Sequence, residues 1–304
     1  MATGRFAPSP SGPLHLGSLR TAMVAWLFAR SAGSRFVLRI EDVDAASARA
    51  EHEESQRRDL VALGIDWDGD VLHQADHLER YGAVISRLTA SQLVYPCYCT
   101  RREVLEAAVA PHEHLPEGAY PGTCRTLTAR QRRDREEAGR PPALRLRADA
   151  ARIRFDDELH GRVEGIVDDF VVSRNDGTPS YNLAVVVDDA DQGIEQVVRG
   201  DDLLLGTPRQ ILLGRVLGYP SLAYAHVPLV LGPDGVRLAK RHGSVTLADQ
   251  LAGGRDAAAV RSLLAWSLGL AEPGEAVAMD DLVPRFDPGS LPRQPFVLDA
   301  LPSP

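Results

Sequence analysis

Four groups of residues have the types and spacing that chemistry needs. The first is Arg5-Phe6-Ala7-Pro8-Ser9-Pro10-Ser11-Gly12-Pro13-Leu14-His15-Leu16-Gly17-Ser18. Pro fixes φ and Gly admits close backbone approach, so this turn can be rigid and still let a ligand lie against the main chain. A helix beginning near His15 would point its N-terminus at the turn, where free N–H groups and the helix dipole favour phosphate. His15 can hydrogen-bond a phosphate oxygen, and Arg5 can grip a carboxylate with its planar fork. Neither the Gly-Lys-Ser/Thr of a Walker A loop nor a Gly-x-Gly-x-x-Gly dinucleotide turn occurs here. The second group is the carboxylate cluster Glu41-Asp42-Val43-Asp44, directly after an apolar run. The third is Arg237-Leu238-Ala239-Lys240-Arg241, which alone is a surface basic run. The fourth is Cys97-x-Cys99 with Cys124, three thiolates suited to a tetrahedral zinc. Its fourth ligand is open on the residues alone, since His112 and His114 lie between the cysteines.

These groups need elements to hold them. Gly4 to Ala7 reads as a first strand, and a helix from about His15 to Ser31 follows, with Gly33 as its stop. Arg35 to Ile40 is an apolar strand that delivers the carboxylates to its C-terminal edge, outside which open α/β sheets bind ligands. Helices over about Ala46 to Leu63 and Asp76 to Leu93 complete a rhythm that implies a parallel sheet. From Tyr95 the rhythm breaks, and short alternating runs at Ala143 to Arg147, Arg162 to Val167 and Phe170 to Arg174 suggest antiparallel strands. The charge-rich run Arg130 to Arg140 reads as a solvated helix. Tyr181 to Asp189 is nearly continuous and apolar, as a strand buried on both faces would be. A helix over Pro208 to Leu217 and a last strand over Tyr224 to Leu231 lead to the turn Gly232-Pro233-Asp234-Gly235. Thr246 to Leu251 and Asp256 to Leu268 read as small terminal helices, and the Pro-rich tail past Leu291 as loosely held.

The expected fold is therefore α/β: a Rossmann-type parallel sheet with a zinc-containing insertion and a small helical C-terminal region. Residues 1–94 and 176–235 form its two halves, 95–175 the insertion, and 236–304 the last loop and helices. The chain has 304 residues, of which 44% are hydrophobic, enough for a substantial core. A net charge of −8 argues against a surface dominated by nucleic-acid attraction. No apolar run is long enough to span a bilayer and no signal-peptide pattern follows Met1, so a cytoplasmic chain is expected. Three clustered cysteines in such a compartment point to a metal ahead of disulfides.

His15-Leu16-Gly17-Ser18 resembles the "HIGH" signature of class I aminoacyl-tRNA synthetases. The preceding Arg5-Phe6-Ala7-Pro8-Ser9-Pro10 narrows the resemblance to the glutamyl/glutaminyl branch, and it extends to about Leu268. Arg237 to Arg241 then resembles the mobile "KMSKS" loop, with Lys240 where the family's second lysine contacts ATP phosphates. A cation there stabilises charge building on departing pyrophosphate. Ser18 departs from the second His of the first signature, and Arg237 and Ala239 from the Lys and Ser of the second. The resemblance implies His15 and Lys240 as catalytic residues, and His15, Gly17, Ser18 and Lys240 as the ATP site. Arg5, Ala7, Ser9, Glu41, Tyr181 and Arg199 match the glutamate-binding positions. Two arginines in one cavity would disfavour glutamine, whose amide leaves a charge unpaired. The resemblance also favours Tyr120 as the fourth ligand of one structural Zn2+, beside Cys97, Cys99 and Cys124.

A conventional glutamyl enzyme carries a large helical anticodon-binding domain after this core, whereas few residues follow Lys240 here. The chain thus resembles a truncated paralogue that esterifies L-glutamate to queuosine at the wobble position of tRNA(Asp), using ATP with Mg2+. The partners then expected are L-glutamate, ATP and the anticodon stem-loop of tRNA(Asp), with no membrane, and the chain itself is expected to be a monomer. The rival readings are a minimal ligase charging the acceptor end and a non-catalytic synthetase-like protein. A different HIGH-bearing nucleotidyltransferase fits less well, because of the cysteine cluster and the long Arg5 to Arg20 string.

Overall fold

The computed structural model describes residues 2–108, 118–238 and 245–298. The first stretch runs β1 (Gly4–Phe6), α1 (Leu16–Ser31), β2 (Phe36–Ile40), α2 (Ala50–Ala62), β3 (Leu72–His73), α3 (Leu78–Ala90) and β4 (Val94–Cys97). Then come α4 (Arg101–Ala108), α5 (Ala129–Glu137), β5 (Ala143–Leu146), β6 (Arg152–Asp157), β7 (Gly161–Ile166) and β8 (Val171–Ser173). The rest comprises α6 (Tyr181–Asp191), β9 (Gln196–Gly200), α7 (Thr207–Leu217), β10 (Ala223–Val227) and β11 (Val230–Leu231), followed by α8 (Leu247–Ala252), α9 (Ala257–Ser267), α10 (Met279–Leu282) and β12 (Phe296–Val297). A seven-stranded sheet in the order β3-β2-β1-β9-β10-β6-β7 organises the molecule. All its pairings are parallel except β6 with β7.

The alternation of strand side chains gives this sheet two unlike faces. On one face Phe6, Phe36, Leu38, Val198, Ala225 and Val227 meet α1 and α9 in the larger core. α1 is buried nearly all round because it lies between the sheet and the terminal helices. Gly4 permits the closest approach, since a Cβ there would stand 3.3 Å from the Ala29 methyl. The other face carries Arg5, Arg39, Arg199, His226 and Asp157, all buried. α6, which packs on α3 and α7, lays Asp188 and Asp189 against it.

Three expectations need correction. Tyr181 to Asp189 is not a strand but the start of helix α6. Ser180 caps it, its hydroxyl accepting from Leu183 N at 3.3 Å. A helix covered on most sides reads in sequence like a doubly buried strand. The last strand does not run from Tyr224 to Leu231: it breaks after Val227, where Pro228 has no N–H to give a ladder, and resumes as β11. The tail past Leu291 is held at least to Leu298, because β12 pairs parallel with β11 and Phe296 meets Trp266 edge to face at 5.6 Å. In addition, the β6–β7 hairpin of the stretch 95–175 belongs to the main sheet, with Asp157 of β6 paired to Tyr224 of β10. β4, β5 and β8 form a separate antiparallel sheet.

Arg20 ties the first helix to the terminal ones. It is 1% exposed and donates from Nε to Ser267 Oγ (3.0 Å), from Nη1 to Pro228 O (2.8 Å) and from Nη2 to Ser267 O (3.2 Å). Arg20→Ala leaves two buried carbonyls unpaired and opens a void, and should cost roughly 2–4 kcal/mol. Urea denaturation measures it, and a loss well under 1 kcal/mol would show that this tie carries little stability.

Candidate active site

The Pro-Ser-Gly turn is fixed by hydrogen bonds from outside it. Glu41 N donates to Pro8 O (2.9 Å) and Arg49 N to Pro10 O (3.0 Å). Gln56, buried on α2, donates from Nε2 to both Ser9 O (3.0 Å) and Gly12 O (2.7 Å). Sequence reasoning missed Gln56, because nothing local marks a residue so far along the chain as the clasp of this turn. His15 is the N-cap of α1, its Nδ1 accepting from Ser18 N at 3.1 Å. That assigns the proton to Nε2. Gly17 leaves room for the ring: a Cβ there would lie 3.0 Å from His15 Nδ1.

The helix N-terminus offers less to a phosphate than expected. Leu16 N donates to Val245 O, Ser18 N to His15, and Leu19 N to His15 O. Gly17 N alone in that first turn has no partner among the described residues. The same bond from Leu16 and the His15–Thr246 bridge pin the chain just after residues 239–244. Just before them, Arg237 bridges Leu231 and pairs with Asp202 at 2.6 Å. The basic loop is therefore anchored at both ends beside His15. Lys240 itself lies outside the described residues.

A cavity of about 570 Å³ opens between the C-terminal ends of β1 and β9 and the start of α1. Arg5, Ala7, Ser9, His15, Gly17, Ser18, Glu41, Tyr181 and Arg199 all line it. Every described residue expected at the amino-acid and ATP sites is thus brought together. Tyr181 arrives on the first turn of a helix instead of on a strand.

Beneath the cavity lies a buried ionic layer. Asp189 Oδ1 accepts from Arg39 Nη1 (2.7 Å) and Arg5 Nε (3.3 Å). Arg39, wholly buried, also reaches Glu41 (3.3 Å) and lies 3.8 Å from Asp188. Tyr81 and Gln74 donate to Asp188 at 2.8 and 2.7 Å. Burial pushes the Asp189 carboxyl up, but Arg39 and Arg5 outweigh it and hold the group below the usual carboxylate range. For Glu41 burial wins over the same two cations and its carboxyl lies above that range. Arg199 is oriented by a second network. Its Nε donates to His226 Nε2 (3.1 Å), Nη1 to Gln210 Oε1 (2.7 Å) and Nη2 to Thr207 Oγ1 (2.8 Å). His226 Nδ1 in turn meets Asp157 Oδ2 at 2.6 Å. Three of the five guanidinium donors are used, leaving two to meet a ligand. The sequence reading named Arg5 and Arg199 but missed Arg39, Asp157, Asp189 and His226. Alternation puts Arg39 and His226 on the strand faces opposite Leu38 and Ala225, but only the pairing of the strands brings them beside Arg5 and Arg199.

The cysteines also converge. The sulfurs of Cys97, Cys99 and Cys124 lie within 4.8 Å of one another, a group able to hold a metal ion. The Tyr120 oxygen stands 3.4 Å from Cys97 Sγ and 3.8 Å from Cys99 Sγ, and accepts from Cys124 N at 2.9 Å. His112 and His114 lie outside the described residues.

Comparisons with known proteins agree on the kind of chain this is. The family model for class I tRNA synthetases (E and Q), catalytic domain, matches residues 1–273. A glutamyl-Q tRNA(Asp) synthetase of Nocardia farcinica is 56% identical over 97% of this chain and 92% of its own length. One from Symbiobacterium thermophilum is 49% identical over 99% of this chain and 97% of its own. Among solved structures, a glutamate tRNA ligase from Elizabethkingia meningosepticum in complex with its amino acid superposes with a TM-score of 0.83. It is 26% identical, over 98% of this chain and 67% of that one.

Histidine burial makes a prediction. Burial, together with the Arg199 cation and against Asp157, lowers the basicity of His226 below the ordinary imidazole value. The unfolded chain takes up this proton near pH 6.5, the folded chain only at lower pH. Stability from this group is thus complete above about pH 6.5 and declines below it, by up to about 1.4 kcal/mol per pH unit. Urea denaturation between about pH 7.5 and 5.5 should show a shallower decline in His226→Asn than in the parent. Equal slopes would contradict a neutral buried imidazole.

Proposed function

The chain belongs to the class I tRNA synthetases of the glutamate and glutamine branch, and we propose that it activates L-glutamate with ATP and transfers the glutamyl group to queuosine at the wobble position of tRNA(Asp). The observation that carries the activation step is the single cavity in which two guanidinium groups, Arg5 and Arg199, face one carboxylate, Glu41, beside His15. Glutamate brings two carboxylates and one ammonium, the complementary set. Arg5 and Arg199 take the carboxylates, Glu41 accepts from the ammonium, Tyr181 walls the site, and Ala7 and Ser9 line its floor. The α-carboxylate oxygen attacks the α-phosphate of ATP, a bond to pyrophosphate breaks, and glutamyl-adenylate forms. That step needs positioning and charge stabilisation more than a protein nucleophile. His15 donates from Nε2 to a phosphate oxygen, Gly17 and Ser18 shape that end, and Lys240 neutralises the leaving pyrophosphate, whose Mg2+ arrives with ATP.

The acceptor follows from the relatives, two of which bear the glutamyl-Q tRNA(Asp) name at 56% and 49% identity over nearly the whole chain. A monomer acting in the cytoplasm completes the reading; among the described residues no helix is long and apolar enough to cross a membrane. The second reading, an acceptor-end ligase, is favoured by the likeness to the Elizabethkingia enzyme.

Three thiols beside a buried phenol oxygen, with no disulfide among them, fit one structural Zn2+. Cys97, Cys99, Cys124 and Tyr120 would supply all four positions, leaving none open for chemistry.

Glutamate-dependent exchange between ATP and pyrophosphate, without tRNA, tests the activation step. Exchange is expected, and Lys240→Ala should lower turnover on the order of a hundredfold while barely changing the glutamate KM. No exchange at high glutamate by folded, zinc-replete protein would count against this reading. Metal analysis should find one zinc per chain, lost in Cys97→Ser and Cys124→Ser, held more weakly in Tyr120→Phe, and unaffected by His112→Ala or His114→Ala. Loss confined to the histidine variants would overturn the ligand set.

A further inference from the structure

Behind Arg199 lies a chain of buried side chains from three neighbouring strands: Arg199 of β9, His226 of β10 and Asp157 of β6. Distances and elementary chemistry place the protons along it. A guanidinium keeps all its protons inside a protein, so Arg199 Nε is a donor. It points at His226 Nε2 from 3.1 Å, and that nitrogen must therefore offer a lone pair. An uncharged imidazole with a bare Nε2 carries its proton on Nδ1, which meets Asp157 Oδ2 at 2.6 Å. Burial pushes the Asp157 carboxyl up, but hydrogen bonds from His226 and from backbone N–H groups outweigh it and hold the group below the usual carboxylate range. Asp157 is thus an ionised acceptor for the Nδ1 proton.

The other oxygen of Asp157 fixes which way this carboxylate faces. Oδ1 accepts from Leu159 N and His160 N, both at 3.0 Å, and from His226 N at 3.3 Å. With backbone donors converging on it, that position accepts only an oxygen. We propose that Asp157 is a positioning residue for amino-acid recognition: by holding His226 as the Nδ1–H tautomer it keeps Nε2 free to accept from Arg199, and so aims that guanidinium at a carboxylate of the bound amino acid. Gln210 and Thr207 hold the two terminal nitrogens of Arg199 at 2.7 and 2.8 Å, and His226 holds its Nε, which sets the plane of the fork. Neither Asp157 nor His226 lines the cavity, so both act through Arg199. The inference rests on the glutamate reading of that cavity.

Asp157→Asn separates this role from packing, because it removes the charge and keeps the shape. The backbone N–H groups of Leu159, His160 and His226 still claim Oδ1, so the amide nitrogen must face His226 Nδ1. Two donors cannot meet there. The imidazole then moves its proton to Nε2 and presents an N–H to the Arg199 Nε–H, a donor against a donor. Arg199 keeps Thr207 and Gln210 but loses its aim. Loss of the correct tautomer through an Asp-to-Asn change behind a histidine is a general route to a site that is intact in outline and impaired in function.

Nitrogen NMR of the isotope-labelled full chain reads the tautomer, and calorimetric titration with L-glutamate reads its consequence. The parent should show His226 protonated at Nδ1 and bare at Nε2. Asp157→Asn should show the reverse and bind glutamate about tenfold or more weakly. His226→Gln, whose side-chain carbonyl can accept from Arg199 without any tautomer, should keep the glutamate Kd within about threefold of the parent. His226→Leu, with no acceptor, should weaken binding as much as Asp157→Asn does. If Asp157→Asn fails to fold, the two His226 variants and the parent tautomer carry the test. A parent ring protonated at Nε2, an unchanged Kd in folded Asp157→Asn, or equal weakening by His226→Gln and His226→Leu would overturn the inference. A parent with the Nδ1–H tautomer that binds no glutamate would instead refute the function proposed for the cavity, and this inference with it.

Discussion

The contact on which the rest depends is Asp189 between Arg39 and Arg5. Guanidinium groups inside a protein are tolerated only when paired, and removing one partner of such a pair costs far more than the pair contributes. Arg39 is wholly buried and meets carboxylates from Glu41, Asp188 and Asp189. That requirement explains why α6 must lie where it does, with two adjacent aspartates facing the sheet. It also explains why Tyr81 and Gln74 reach Asp188 from outside α6. With Arg39 neutralised from below, Arg5 and Arg199 keep donors free toward the cavity. The site is cationic where a carboxylate would bind, and its cations are too firmly placed to follow a neutral amide.

The sheet separates the two tasks of the molecule. One face is apolar and joins α1 to the terminal helices, supplying most of the core. The other face is ionic and supplies the site. The two meet at His15, which caps α1 from the apolar side and lines the cavity. His15 is also where the chain returns after residues 239–244, through the bond between Leu16 and Val245.

Much of this was legible in the sequence, but unevenly. The turn from Arg5 to Ser18 could be read because Pro, Gly and His carry their geometry with them. The cysteine cluster could be read because thiols at short spacing have few other uses. Arg5, Arg199 and Glu41 could be named, yet not the partners that aim them, since Asp157 and His226 become neighbours only when distant strands pair, and Asp189 reaches the arginines only when α6 packs on the sheet. Period-two spacing does mark Arg39 with Arg5 on one face, but only once the strands are known to be adjacent. α6 was misread because a helix buried on most sides lacks the amphipathic stripe that normally identifies one. The β6–β7 hairpin was assigned to an insertion because sequence order hides that it closes the main sheet against β10.

The proposed chemistry turns on which hydroxyl receives the glutamyl group. A cyclopentenediol on an unstacked wobble base presents vicinal hydroxyls much as a terminal ribose does, and loop bases are open to recognition. Transfer of labelled glutamate to queuosine-containing tRNA(Asp), intact and with its 3′-terminal adenosine removed, distinguishes the two acceptors directly. The account predicts equal transfer to both, as an ester labile to mild alkali, and none to queuosine-free tRNA(Glu). Loss of transfer on removing that adenosine, or charging of queuosine-free tRNA(Glu), would contradict it.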